Sequence, residues 1–176
     1  MRYRIPLCGL PSLCLVAFLC VVGFASPAAD DEEFANVLLT KAAWAALDQG
    51  HDPRLAISKA ERCINKFGAQ ADAKQAELER LKARQSPLGA VSPEEKTAIN
   101  QRGLLNDVAT CYLIKGKAAE KLKLPDEAKA AYCAAAKYTY ARCWDPHGWF
   151  WSPAEAACER LGDLKWTCKA RVCGPA

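Results

Sequence analysis

The residues with the most evident chemistry lie near the C-terminus: Cys143, His147, Cys158, Cys168 and Cys173. Thiolate sulfur and imidazole nitrogen are the ligands that tetrahedral zinc takes. The spacings Cys-x3-His and Cys-x4-Cys are wider than the Cys-x2-Cys knuckles of compact zinc sites, so no metal site is expected, although a small zinc or redox protein stays as an alternative. Disulfide formation suits these thiols better, and Cys143, Cys158, Cys168 and Cys173 are the candidate bridging residues. There is no Cys-x2-Cys redox motif and no Cys-x2-Cys-His haem motif. His51 sits in a turn beside Asp52 and Pro53, and His147 could be paired with almost any cysteine, so no Cys–His nucleophile stands out. Glu77 and Glu79 interleave with Arg80 and Lys82, which describes a solvated helix face and not a pair of catalytic carboxylates. Gly-rich phosphate loops and Gly-x-Ser-x-Gly are absent from the sequence. The expectation is a non-catalytic protein without a cofactor.

The same region is dense in aromatics, with Trp144, Trp149, Phe150 and Trp151 between Cys143 and Ser152. Such a run offers a platform for a polysaccharide or a proline-rich peptide. It equally suits a cap that packs over the open end of a helical array, because large rings bury much area per residue. Capping is the preferred reading, with an envelope polysaccharide binder using Trp144, Trp149 and Trp151 as an alternative.

The chain has 176 residues, 24 basic and 20 acidic, with a formal charge of +4. Residues 1–29 have the layout of a secretory signal peptide: basic Arg2 and Arg4, an apolar run from Leu13 to Phe24, then small residues ahead of Asp30. That run is shorter than the roughly 20 residues a membrane span needs. A cleaved leader and a secreted or periplasmic protein are therefore expected, with no stable membrane span. Removing Arg2 and Arg4 leaves 22 basic against 20 acidic residues, too even a balance for a nucleic-acid partner. Of the ten cysteines, Cys8, Cys14 and Cys20 leave with the leader; the remaining seven are odd in number, so at least one is unpaired within the chain.

Residues 30–176 suit one domain. Residues 34–48 read as a helix with Phe34, Val37, Leu38, Lys41, Ala42 and Ala45 on one side and Trp44 and Leu47 widening the apolar face. Gly50 and Pro53 punctuate the turn that follows. A second helix is expected from Pro53 to Phe67, closed by Gly68, and a third over 69–84, rich in good helix formers. Ser92-Pro93-Glu94-Glu95 and Ser152-Pro153-Ala154-Glu155 are helix starts with a serine cap, an early proline and an acid in the first turn. Leu104 to Leu122 and Asp126 to Tyr140 read as two helices joined at Leu124-Pro125, residues 143–151 as irregular, and the tail as cysteine-pinned. No alternating pattern of useful length is present, so the fold class is all-α.

Gly116, Ala128, Tyr132 and Ala135 place small, small, bulky and small residues where two helices of a hairpin must approach closely. Ala56, Ala60, Cys63 and Phe67 form a weaker copy, offset by 72 residues (128 − 56). With Tyr112 and Ala119 at the neighbouring aromatic and core positions, the chain resembles the tetratricopeptide repeat family. The resemblance is good over about 104–142 and weaker over about 34–68, where Trp44 stands at a small-residue position. Gly68 and Tyr140 occupy the places of the family's closing proline. It implies a short solenoid of antiparallel helical hairpins: one at about 34–68, a degenerate insert at about 69–103, a second hairpin at about 104–142, and a cysteine- and aromatic-rich cap at about 143–176. The repeat core would be Ala56, Ala60, Cys63, Tyr112, Gly116, Ala128, Tyr132 and Ala135. The implied role is binding a protein or peptide in a concave groove lined by Asn36, Thr40, Trp44, Asn106, Thr110, Lys117 and Lys121.

Overall fold

The computed structural model describes residues 35–169 and Cys173. The leader expected over residues 1–29, and Phe34, lie outside the described residues. Six α-helices account for most of the described chain: α1 (Ala35–Trp44), α2 (Pro53–Arg80), α3 (Pro93–Asn100), α4 (Gly103–Lys121), α5 (Pro125–Ala135) and α6 (Pro153–Asp163).

α1 runs into a π turn over Ala45–Gln49, closed by the Gly50 N–H on the Ala45 carbonyl at 2.8 Å. His51 then takes a left-handed backbone, φ 48°, and the Asp52 side chain caps α2 by accepting from the Leu55 N–H at 2.9 Å. The inward face of α1 is not the apolar side that its sequence suggests. Asn36, Thr40, Ala43, Ala46 and Leu47 are buried, whereas Leu38 is 61% exposed. Two polar side chains turn inward because each finds a hydrogen-bond partner there, which removes the roughly 1–3 kcal/mol cost of burying them unpaired.

α2 does not stop at Gly68 but continues for three more turns as one 28-residue helix. A glycine inside a helix costs about 1 kcal/mol. Here a single buried stripe runs through it, from Ala56, Ala60, Cys63 and Phe67 to Ala71, Gln75 and Leu78. The far half of α2 has its own partners. Asp72 accepts from the Tyr138 hydroxyl at 2.6 Å, and the Gln75 amide donates to the Thr139 hydroxyl at 3.0 Å.

α5 correspondingly ends at Ala135, five residues short of the end expected at Tyr140. Tyr138, Tyr140, Ala141 and Arg142 are all buried. A helix would point nearly consecutive residues to different sides; a turning segment directs them all inward. Tyr138 stacks on Tyr112 with ring centroids 5.9 Å apart.

The stretch read as irregular forms a short antiparallel hairpin, β1 (Cys143–Asp145) and β2 (Trp149–Trp151). Gly148 supplies a positive φ of 109° at its turn. Gly89, in the loop after α2, exchanges both backbone hydrogen bonds with Phe150 at 2.8 Å and thereby anchors the hairpin to the body.

Two hydrophobic clusters share α4. One joins α1, α2 and α4 through Ala43, Leu47, Ala56, Ala60, Cys63, Val108, Cys111 and Ile114. The other joins α4, α5 and α6 through Leu113, Ala119, Ala128, Tyr132, Ala135, Ala157 and Leu161. Disulfides Cys133–Cys168 and Cys158–Cys173 tie the tail to α5 and α6. Cys158, Cys168 and Cys173 are thus bridged as expected, but Cys143 is a free thiol and Cys133 takes the remaining place. Cys133 is half-buried on α5 beside the tail, packed against the second cluster with Cys158, Cys168 and Cys173, whereas Cys143 is carried away on β1.

Gly116 faces the Tyr132 ring so closely that an added Cβ would lie 2.6 Å from two ring carbons. Gly116→Ala is expected to destabilise the fold by about 1–3 kcal/mol through overpacking. Urea denaturation of both proteins checks this, and equal midpoints would contradict it.

Candidate binding groove

α1, α4 and the hairpin enclose a groove of about 770 Å³. Thr40 and Trp44 come from α1, Asn106 and Thr110 from α4, and Trp144 and Trp151 from the hairpin. α4 can floor the groove because its threonine and asparagine are satisfied internally. Thr110 Oγ1 donates to the Asn106 carbonyl at 2.7 Å. The Asn106 side chain donates to the Ile99 carbonyl and accepts from the Arg142 N–H, both at 2.9 Å. That last bond holds the start of the hairpin against α4.

The seven residues expected to form a groove therefore divide into three groups. Thr40, Trp44, Asn106 and Thr110 line it together. Lys117 and Lys121 face a neighbouring depression of about 490 Å³, walled by Glu120 and by Glu159 and Arg160 of α6. Asp48 lines both hollows, so the two adjoin. Asn36 lies beneath the surface, donating to Asp107 Oδ2 at 2.5 Å. The amide of Asn106 already has partners at both ends, so it positions the site more than it offers a free donor.

The three hairpin tryptophans do not make one platform. Strand alternation puts Trp144 and Phe150 on one face and Trp149 and Trp151 on the other. Trp144 packs edge-on against Phe150, 5.0 Å between centroids, and carries Lys96 Nζ 4.0 Å above its ring. Trp149 stacks on His147 at 5.4 Å. Trp44 instead joins Trp144 and Trp151 in the groove, with Lys117 Nζ 5.3 Å from its ring centroid. The metal alternative loses three of its four sulfur ligands, since Cys158, Cys168 and Cys173 are bridged and only Cys143 is free. His147 Nδ1 lies 2.7 Å from Asp145 Oδ1. Among the described residues no cluster of three His, Cys, Asp or Glu side chains is arranged to hold a metal ion.

Sequence reasoning missed the charged residues of the groove: Lys41, Asp48, Asp107, Arg142 and Asp145. Arg142 is 3% exposed. Its Nε donates to the Ser86 carbonyl at 2.8 Å, and its Nη1 to the carbonyls of Ala141 at 2.7 Å and Thr139 at 3.1 Å. Burial pulls its pKa below the ordinary arginine value, and the nearby charge of Arg102 adds to that. No local sequence signal marks this arginine as buried. Burial also raises the Asp107 carboxyl to about 6, against opposing hydrogen bonds from Asn36 and Thr40, and pushes the Cys143 thiol up to about 11.

Comparison with family models, with curated proteins and with solved structures finds no match to this chain. None of the described helices is long and apolar enough to cross a membrane.

Asp107 makes stability depend on pH. Its folded pKa of about 6 lies above the ordinary 3.8, so the folded state binds the extra proton between those values. The contribution is fully present below about pH 4 and is lost as pH rises through 6, by up to about 3 kcal/mol. Asp107→Asn is expected to flatten the stability curve between pH 4 and 7. Urea titrations across that range test it; an unchanged slope would count against the assignment.

Proposed function

We propose that this chain is a non-catalytic helical-repeat module of tetratricopeptide type that binds an extended peptide or protein segment in the groove between α1, α4 and the hairpin. The observation that carries this reading is the groove itself: two first-of-hairpin helices floor it, and Trp44, Trp144 and Trp151 wall it. Pockets of this size, mostly apolar with a few placed polar groups, suit a ligand of several residues. The packing order supports the repeat reading. The α1–α2 pair packs on the α4–α5 pair, α1 also contacts α4, and α6 packs on both α4 and α5, as the first helix of a further hairpin would. The Gly116–Tyr132 contact is the close approach that the small-and-bulky stripe requires. A secreted or periplasmic setting is the second part of the proposal, supported by the two disulfides.

Selection from a random peptide display library, followed by affinity measurement of the selected peptides, tests the binding role. Trp44→Ala and Trp144→Ala are each expected to weaken binding at least tenfold, the usual loss for an aromatic anchor at about 2 kcal/mol. Trp149→Ala, outside the groove, should leave affinity unchanged. Trp44→Ala and Trp144→Ala give up packing on the first cluster and on Phe150, so affinity is compared at a temperature where circular dichroism shows all three variants folded. Selected peptides that bind the Trp44 and Trp144 variants as tightly as wild type would overturn the assignment. Binding of soluble polysaccharides that depends on Trp149 would favour the glycan alternative.

A further inference from the structure

We propose that Cys63 and Cys111 are a third disulfide-forming pair, which staples α2 to α4 beneath α1 and leaves Cys143 as the one unpaired thiol of residues 30–176. Both residues are 0% exposed, and they sit on the facing sides of the two helices that build the first core cluster. The Thr40 hydroxyl of α1 lies 3.3 Å from Cys111 Sγ and 3.8 Å from Cys63 Sγ. One hydroxyl thus touches both sulfurs, which brings the two thiols to the same point between the helices. Two further arguments single out this pair. Seven cysteines follow residue 30, and the two tail bridges leave Cys63, Cys111 and Cys143. Of these three, Cys143 is held on β1 at the groove.

The oxidant is a low-molecular-weight disulfide, such as oxidised glutathione. The Cys63 thiolate attacks one of its sulfurs; the glutathione S–S bond breaks, and the released glutathione thiolate takes up the proton lost by Cys63. The Cys111 thiolate then attacks the Cys63 sulfur of the mixed disulfide. The Cys63–Cys111 bond forms, and the second glutathione leaves and takes the remaining proton. Two protein thiols are oxidised and one glutathione disulfide is reduced to two thiols. Attack requires a thiolate, and burial with the neighbouring Cys63 keeps Cys111 protonated in the folded state. The exchange therefore belongs to folding, before α1 closes over the pair. Afterwards the same burial shields the bond from reductants. The staple would join the two hairpins that floor the groove, and it stands whether or not the groove binds a peptide.

The test is non-reducing peptide mapping of the full chain, refolded in a glutathione redox buffer and alkylated before trypsin digestion. The expected product links the peptide 63–66 to the peptide 103–115, at two hydrogens below the summed thiol masses, with Cys143 alkylated. In Cys111→Ser the linked species should vanish and Cys63 should be alkylated, while Cys133–Cys168 and Cys158–Cys173 persist. Full alkylation of Cys63 and Cys111 in the wild type with both tail bridges formed would overturn the proposal, as would linkage of either residue to another cysteine.

Discussion

The structure turns on the contact between Gly116 and Tyr132. Because residue 116 has no Cβ, the Tyr132 ring lies where one would stand, and α4 and α5 come closer than larger side chains would allow. The ring is fully buried, yet its hydroxyl reaches the edge of the cluster and donates to Glu120 at 3.0 Å. Glu120 also takes the Arg160 guanidinium from α6. One close approach thus aligns three helices: α5 by packing, and α6 through the carboxylate that the tyrosine helps to hold. Arg160 keeps the Glu120 carboxyl below its usual range, while burial raises the Tyr132 hydroxyl well above the ordinary tyrosine value. The two disulfides then fasten the tail over this same corner.

With α5 and α6 on one flank, α4 must bury its other flank against α1 and α2. A helix apolar on nearly every side has few positions left to meet solvent. α4 solves this with polar residues that are satisfied from within. Asn106 and Thr110 are buried, but their hydrogen bonds run to Ile99, Arg142 and the helix's own backbone. The groove floor is consequently polar in composition and quiet in chemistry. The rest of the groove lining comes from the tryptophans of α1 and the hairpin and from charged residues that include Lys41 and Asp107.

The hairpin depends on long-range backbone pairing. Gly89 exchanges two hydrogen bonds with Phe150, the Arg142 side chain donates to the carbonyls of Ser86, Thr139 and Ala141, and Asn106 accepts the Arg142 N–H. These contacts bring the loop after α2, the start of α4 and the start of the hairpin to one point. Three-residue strands are too short to hold register alone; the anchors around them make the hairpin a wall of the groove.

Much of the local structure was legible in the sequence. The Ser92 and Ser152 caps, the Gly50–Pro53 turn and the Gly116–Tyr132 stripe each express a constraint carried by neighbouring residues or one helix face, so type and spacing sufficed. Cys158, Cys168 and Cys173 were legible as bridging residues, because crowded cysteines in a short tail have few other fates. What the sequence could not decide depended on partners distant along the chain. Gly68 continues the helix because Asp72 and Gln75 find Tyr138 and Thr139. α5 stops at Ala135 because the buried run that follows must face inward. Asn36 and Thr40 turn to the core because Asp107 and the two thiols wait there, which rotates α1 away from its apolar face. Cys143 stays free and Cys133 is bridged because helix packing, not sequence proximity, sets which sulfurs meet. Local rules choose the elements; burial and hydrogen-bond satisfaction across long separations choose which of their faces build the groove.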